Sequence, residues 1–250
     1  MPTKFSSGRG GTRAKSHFLT TRWTLVCRAG AEQLSADDER QALEELCRAY
    51  WYPLYVFVRR RGYDPHQSQD LTQAFFARLL EQRSFAVADR ERGRFRSFLL
   101  AALNNFLASE WEHARRQKRG GGQPVLSLDA TEAEDRFQHE PATTESAEKV
   151  FERRWIETLL DTVLARLAAE AAEQGFADRF GTLKLFLVED RGTVSFAEMA
   201  TRLGLTEAAV KGVVRRLRGR YRELVREEVA QTVASPDQVD SEIRYLMSVF

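Results

Sequence analysis

Ala200, Gly204 and Val210 stand four and then six residues apart. A helix-turn-helix needs a small residue where its helices meet. It also needs a glycine able to take positive φ in the turn, and a branched apolar residue packing the second helix. Ser195 and Thr206 are capping residues placed where the two helices would start, and Ser195 opens a capping box with Glu198. An ordinary helical hairpin shares this spacing, so the charge that follows matters. Lys211, Arg215, Arg216, Arg218, Arg220 and Arg222 occur with no acid between Lys211 and Arg222. On a helix, Lys211, Arg215, Arg218 and Arg222 form one stripe, and Val210, Val214, Leu217, Tyr221 and Leu224 form another. A solvated helix gains from mixed signs at i,i+4. A face of one sign repels itself unless a polyanion, or acids from elsewhere in the chain, neutralise it. The polyanion reading is duplex DNA, with the N-terminal half of the helix at base edges and its arginines at phosphates. Thr206, Lys211, Arg215, Arg216 and Arg218 are the candidates for that contact.

A second cluster lies in the first half. Between Arg90 and Arg119 there are eight bases and three acids, with Phe95, Phe98, Phe106 and Trp111 interleaved. Cations for phosphates and rings for bases are the chemistry of single-stranded nucleic acid. Arg92, Arg94, Phe95 and Arg96 are the candidates. Most of the apolar stripe in this run reads as core; Phe95 and Trp111, near its ends, are the rings left for bases. Asp70 and Gln73 stand three apart on one helix face, a pattern too common to carry weight alone.

The chain that must position these groups has 250 residues, 43% hydrophobic and 30% charged, which suffices for a core and excludes wholesale disorder. Its 38 Lys and Arg nearly balance 36 Asp and Glu, so bulk charge names no partner. Cys27 and Cys47 exclude a disulfide scaffold, and they and the four histidines lack zinc-ligand spacing. No metal or cofactor is expected. No run reaches the roughly 18–20 apolar residues of a membrane span. Residues 1–22 carry five bases and no acid, but no apolar segment of a signal peptide follows. A cytoplasmic protein is expected.

Apolar residues recur at helical spacing almost throughout, so the expected fold is all-α. Ser35 caps a first helix that Pro53 interrupts or restarts, and a following stretch ends at Gly62. Asp64, Pro65 and Gln67 supply the cap, first position and capping box of the next helix. The run from Phe95 to Trp111 makes a third. Residues 129–148 then hold seven acids against one base, Arg136, and read as a flexible linker. Later helices are expected over 146–174, ended by Gly175, and over 177–188, before the helix-turn-helix. The expected organisation is an N-terminal extension (1–35), a helical domain (36–119), an acidic linker (120–145), a helix-turn-helix domain (146–231) and an amphipathic tail (232–250). The tail's Val239, Ile243, Leu246, Met247 and Phe250 share a face. That face is expected either to pack on the second domain or to cover a functional surface.

With these motifs in order, the chain resembles the extracytoplasmic-function (ECF) sigma factors, the small two-domain class of bacterial RNA polymerase sigma subunits. It is most similar to a subgroup with Thr20-Thr21-Arg22-Trp23 near the N-terminus and a C-terminal extension. The likeness spans about residues 18–230. It rests on Asp70-Leu71-x-Gln73-x-Phe75, Phe95-Arg96-x-Phe98-Leu99, Asn104-Asn105, and the helix-turn-helix with Val210-Lys211 and Arg216-x-Arg218. The resemblance implies that Asp70 and Gln73 bind core RNA polymerase. It implies that the arginine-rich loop before Phe95 and the Asn105 helix hold the unpaired strand of the minus-ten promoter element. The second domain would read the minus-thirty-five element as duplex, with the linker threading through polymerase. Promoter DNA and core polymerase are the implied partners, with room for an anti-sigma or other regulatory protein and none for a membrane.

Ala74, Ala209, Val213 and Ser109 stand where the family often has Glu, Thr, Arg and Asp, which bears on individual contacts. No Gly-rich phosphate loop, HExxH or nucleophile elbow is present, so an enzyme is not expected. The competing expectations are a dimeric helix-turn-helix regulator that works without polymerase and an RNA-binding adaptor.

Overall fold

A computed structural model describes residues 36–81, 94–116, 130–140, 143–188, 195–233 and 235–249. Among them every regular element is helical, in the order α1 (Ala36–Arg60), α2 (Pro65–Glu81), α3 (Phe95–Arg116), α4 (Ala130–Gln138), α5 (Ala147–Glu173), α6 (Ala177–Leu183), α7 (Leu185–Val188), α8 (Phe196–Leu203), α9 (Glu207–Ala230) and α10 (Val239–Val249), the last preceded by a 3₁₀ turn (Pro236–Gln238). The all-α expectation holds for these residues. The N-terminal extension, including Ser35, and the loop carrying Arg92 lie outside them, as does Gly120-Gly121-Gly122.

Local signals place most helix ends. Asp64 accepts from the Gln67 N–H at 2.9 Å and the Gln67 side chain accepts from the Asp64 N–H at 3.4 Å, the reciprocal capping box that starts α2. Ser146 accepts from the Lys149 N–H to start α5. At its other end Phe176 N–H reaches the Ala171 carbonyl at 2.7 Å across Gly175, whose φ is 66°, the Schellman arrangement that glycine permits.

Pro53 does not break α1; the helix runs from Ala36 through Arg60. An interior proline costs about 3 kcal/mol. Here the turns around it bury Tyr50, Leu54, Phe57 and Val58, and each large apolar side chain returns about 1.5–3 kcal/mol. Burial outweighs the lost backbone bond.

The acidic stretch also departs from expectation. Residues 130–138 form α4, and Glu134 within it and Glu140 just after it are matched by arginines distant in sequence. Arg59 grips Glu134 through two 3.0 Å bonds, joined by the Tyr55 hydroxyl. Tyr52 donates to Glu140 at 2.8 Å, and Arg154 of α5 approaches Glu140 at 2.7 Å. Arg59 lies over the Phe137 ring and Arg136 over Tyr52. A run of acids reads as linker only while its counter-ions are out of view.

The long helix α5 packs on α1 and on α9. One hydrophobic cluster runs from Tyr50, Phe57 and Phe95 through Phe151, Trp155 and Leu167 to Leu224, Val229 and Leu246. Two separately cored domains on a flexible linker are therefore not what the described residues show. A smaller cluster of Leu183, Phe186, Met199, Ala200, Val210 and Val214 holds the helix-turn-helix. The tail helix α10 packs on α9 and α5. Val239 and Leu246 are buried, whereas Met247 faces out.

Ion pairing between helices is expected to make the stability of the fold fall in acid. The Arg220 guanidinium holds Glu170 below the ordinary carboxylate range. Burial alone would raise Glu134, but bonds from Arg59 and Tyr55 hold it down. Glu148 is lowered by its backbone hydrogen bond at the start of α5 and by Ser146 and Arg61. A depressed folded-state pKa stabilises the fold above the unfolded value, about 4.3 for Glu, and that contribution is lost as pH falls through the folded value. The melting temperature is expected to drop as pH is lowered through this window. Glu170→Gln should flatten the dependence; an equal slope in the variant would remove this pair as a contributor.

Candidate nucleic-acid interface

Helices α8 and α9 meet as the spacing of Ala200, Gly204 and Val210 predicts. Ser195 accepts from the Glu198 N–H and Thr206 from the Ala209 N–H, so each helix has its side-chain cap. Gly204 takes φ 64° and ψ 34°, a left-handed conformation that strains any residue with a Cβ. The Leu205 N–H bonds back to the Ala200 carbonyl at 2.9 Å. Ala200 and Val210 are buried, which closes the angle between the helices and leaves the N-terminal half of α9 on the surface.

The six bases from Lys211 to Arg222 do not share one fate. Arg215 and Arg216 are exposed. Lys211 is 57% exposed; it pairs with Glu207 one turn back and sits 5.5 Å from the Phe196 ring centroid. Arg218, expected at a phosphate, instead donates two bonds to the Phe186 carbonyl, at 3.2 and 2.9 Å. Arg222 donates to the Arg218 carbonyl. Arg220 forms a fork on Glu170 of α5, at 2.9 and 2.7 Å. Arg220 is thus neutralised from elsewhere in the chain, while Arg215, Arg216 and Lys211 remain on the exposed surface. Thr206 spends its hydroxyl on the cap that starts α9.

In the first half the structure corrects three expectations. Phe95 is fully buried, edge-on to Tyr50 at 5.3 Å between centroids, and offers no face for a base. Arg96 is 2% exposed and lies 5.3 Å from the Trp155 ring centroid. It is held by Glu152 and Glu242. Burial pushes its guanidinium pKa down and Glu152 partly offsets this. Gln73 is buried, as is Thr72 before it, and so does not share the exposure of Asp70. In each case a packed neighbour makes the face interior: α5 and the C-terminal segment meet the start of α3 at Phe95 and Arg96, and α2, which carries Gln73, packs on α1.

Other groups keep a surface. Asn105 is exposed. Trp111 is 57% exposed and lines an open groove of about 610 Å³ with Arg61, Tyr63, Asn104 and Leu107. Arg61 of this groove donates to Asn104 at 3.0 Å and to Glu148 of α5 at 2.9 Å. Arg94 is partly exposed but ion-paired with Glu242. The role of Glu242 had no signal of its own in the sequence; it is one acid among several on an amphipathic tail.

Burial, and secondarily Glu44, pushes the Cys47 thiol up to about 11, which makes it a poor nucleophile. Among the described residues no group of His, Cys, Asp and Glu could hold a metal, and no helix is long and apolar enough to cross a membrane. No protein-family model, curated protein or solved structure matches the chain.

Proposed function

We propose that this chain is a sigma factor of the ECF type, which binds core RNA polymerase and directs promoter recognition and initiation. The helix-turn-helix would read the minus-thirty-five element as duplex, and the first half would hold the melted minus-ten strand. The observation that carries the reading is the second helix of that motif. It is capped at Thr206, anchored by Val210, and displays Lys211, Arg215 and Arg216 at the surface. The ordered sequence motifs of the first half add the polymerase side. On this reading the protein has no catalytic residue of its own, needs no cofactor and acts where polymerase acts, in the cytoplasm.

A helix-turn-helix regulator that never binds polymerase is the second reading. It is favoured by the burial of Gln73, Phe95 and Arg96, which withdraws part of the expected polymerase and single-strand surface. In-vitro transcription with purified core polymerase separates the two, because only a sigma factor yields promoter-directed transcripts. Asp70→Ala, at an exposed helix position, is expected to weaken capture of core polymerase while changing stability by no more than about 0.5 kcal/mol. Promoter-independent behaviour of the wild type, with no capture of core, would leave the regulator reading standing.

A further inference from the structure

We propose that Glu242 on the C-terminal helix is an internal occupant of an anion site made by Arg94 and Arg96, and that nucleic-acid phosphate reaches these arginines by displacing that helix. The inference rests on the reading that the N-terminal end of α3 contacts single-stranded DNA; it adds how that contact is regulated.

The carboxylate of Glu242 is 1% exposed, with one oxygen on the Arg96 guanidinium and the other on that of Arg94. The same helix presents Tyr245, whose ring lies 4.7 Å from the Arg94 guanidinium carbon and 4.9 Å from that of Arg96. Its hydroxyl donates to Glu152 of α5 at 2.8 Å, and Glu152 in turn accepts from Arg96 at 3.3 Å. At the start of the tail, the Thr232 carbonyl accepts from the Phe95 N–H. The C-terminal segment therefore covers the start of α3.

A buried ion pair gains little over apolar packing of the same shape, because both charges must be desolvated. What such a contact supplies is register, and exchangeability with another anion. Two guanidiniums bracketing one carboxylate suit a phosphodiester equally well. The remaining grip of α10 is modest. It has 11 residues, too few for a stable isolated helix. It buries Val239 and Leu246, and its Arg226–Asp240 pair lies at the exposed surface. A polyanion that takes both arginines would remove the buried polar contact that fixes the helix in place.

The test uses the full chain and a fluorescent polythymidine oligonucleotide. Glu242→Gln is expected to tighten its binding about tenfold, within the range of ordinary coupling between sites. Asp240→Asn makes the same charge change on the same helix and is expected to leave affinity within about twofold. Equal gains in both variants, or none in either, would overturn the proposal. Should Glu242→Gln fail to fold, amide hydrogen exchange of the wild type decides. Bound oligonucleotide must speed exchange over residues 239–249, and unchanged protection at saturation overturns the displacement. The sigma-factor reading fails separately, by absence of promoter-directed transcription with core polymerase, while the difference between the two variants persists.

Discussion

Trp155→Ala is expected to destabilise the protein by about 3–5 kcal/mol, the cost of removing a fully buried aromatic side chain and leaving its cavity. Trp155 is wholly buried on α5. It stacks on Tyr50 of α1, with centroids 6.3 Å apart and planes 21° apart, and lies under the Arg96 guanidinium of α3. Its loss is thus felt on both sides of the boundary that the acidic stretch suggested. Urea titration followed by far-ultraviolet circular dichroism should show a lower midpoint with an unchanged slope. Trp155→Phe keeps a ring against Tyr50 and removes an indole N–H that is buried without a hydrogen-bond partner among the described residues, so it should cost less than about 1.5 kcal/mol. Because one hydrophobic cluster joins residues of both halves, the wild type should unfold in a single transition. Two resolved transitions, only one of them shifted by Trp155→Ala, would contradict a shared core.

What could be read from the sequence was what short-range chemistry dictates. Asp64 with Gln67, Ser146, Ser195 and Thr206 each cap the helix they precede in sequence, because their partners are backbone groups three residues on. Gly62, Gly175 and Gly204 take positive φ at the helix ends they mark. The turn of the helix-turn-helix was legible for the same reason. Features set by distant partners were not. Helix α4 owes its place to Arg59 and Tyr55, 75 and 79 residues from Glu134. Arg96 looked like a surface cation until Glu242, 146 residues away, came to it. Arg218 fell on a basic stripe, yet its guanidinium meets a carbonyl of α7. Periodicity assigns a residue to a face; it does not say whether a later helix covers that face. Pro53 is the converse case, a local breaker overridden by the burial of its neighbours.

The second large effect concerns duplex DNA. Arg215 and Arg216 are exposed near the middle of α9, whereas Arg218 and Arg220 are engaged within the fold. The phosphate contacts of the proposed recognition helix therefore pass to Arg215 and Arg216. Each phosphate neutralised by a cation adds about 0.9 to the slope of log affinity against log salt. Replacing both arginines by glutamine should lower the slope for duplex binding by about 1.8 and weaken all sequences alike. Arg218→Gln should leave the slope unchanged and act on stability, since it strips the Phe186 carbonyl of two bonds. Lys211 is the candidate for base contact. It lies in the first turns of α9, above the Phe196 ring, held by a surface pair to Glu207 that DNA can replace. Lys211→Ala is expected to cost about 1–3 kcal/mol on a preferred site and to narrow the gap between preferred and random duplexes. Fluorescence anisotropy of the full chain across a salt series measures all four changes. A slope that drops for Arg218→Gln and stays constant for the Arg215 and Arg216 pair would place the DNA on a different face of α9.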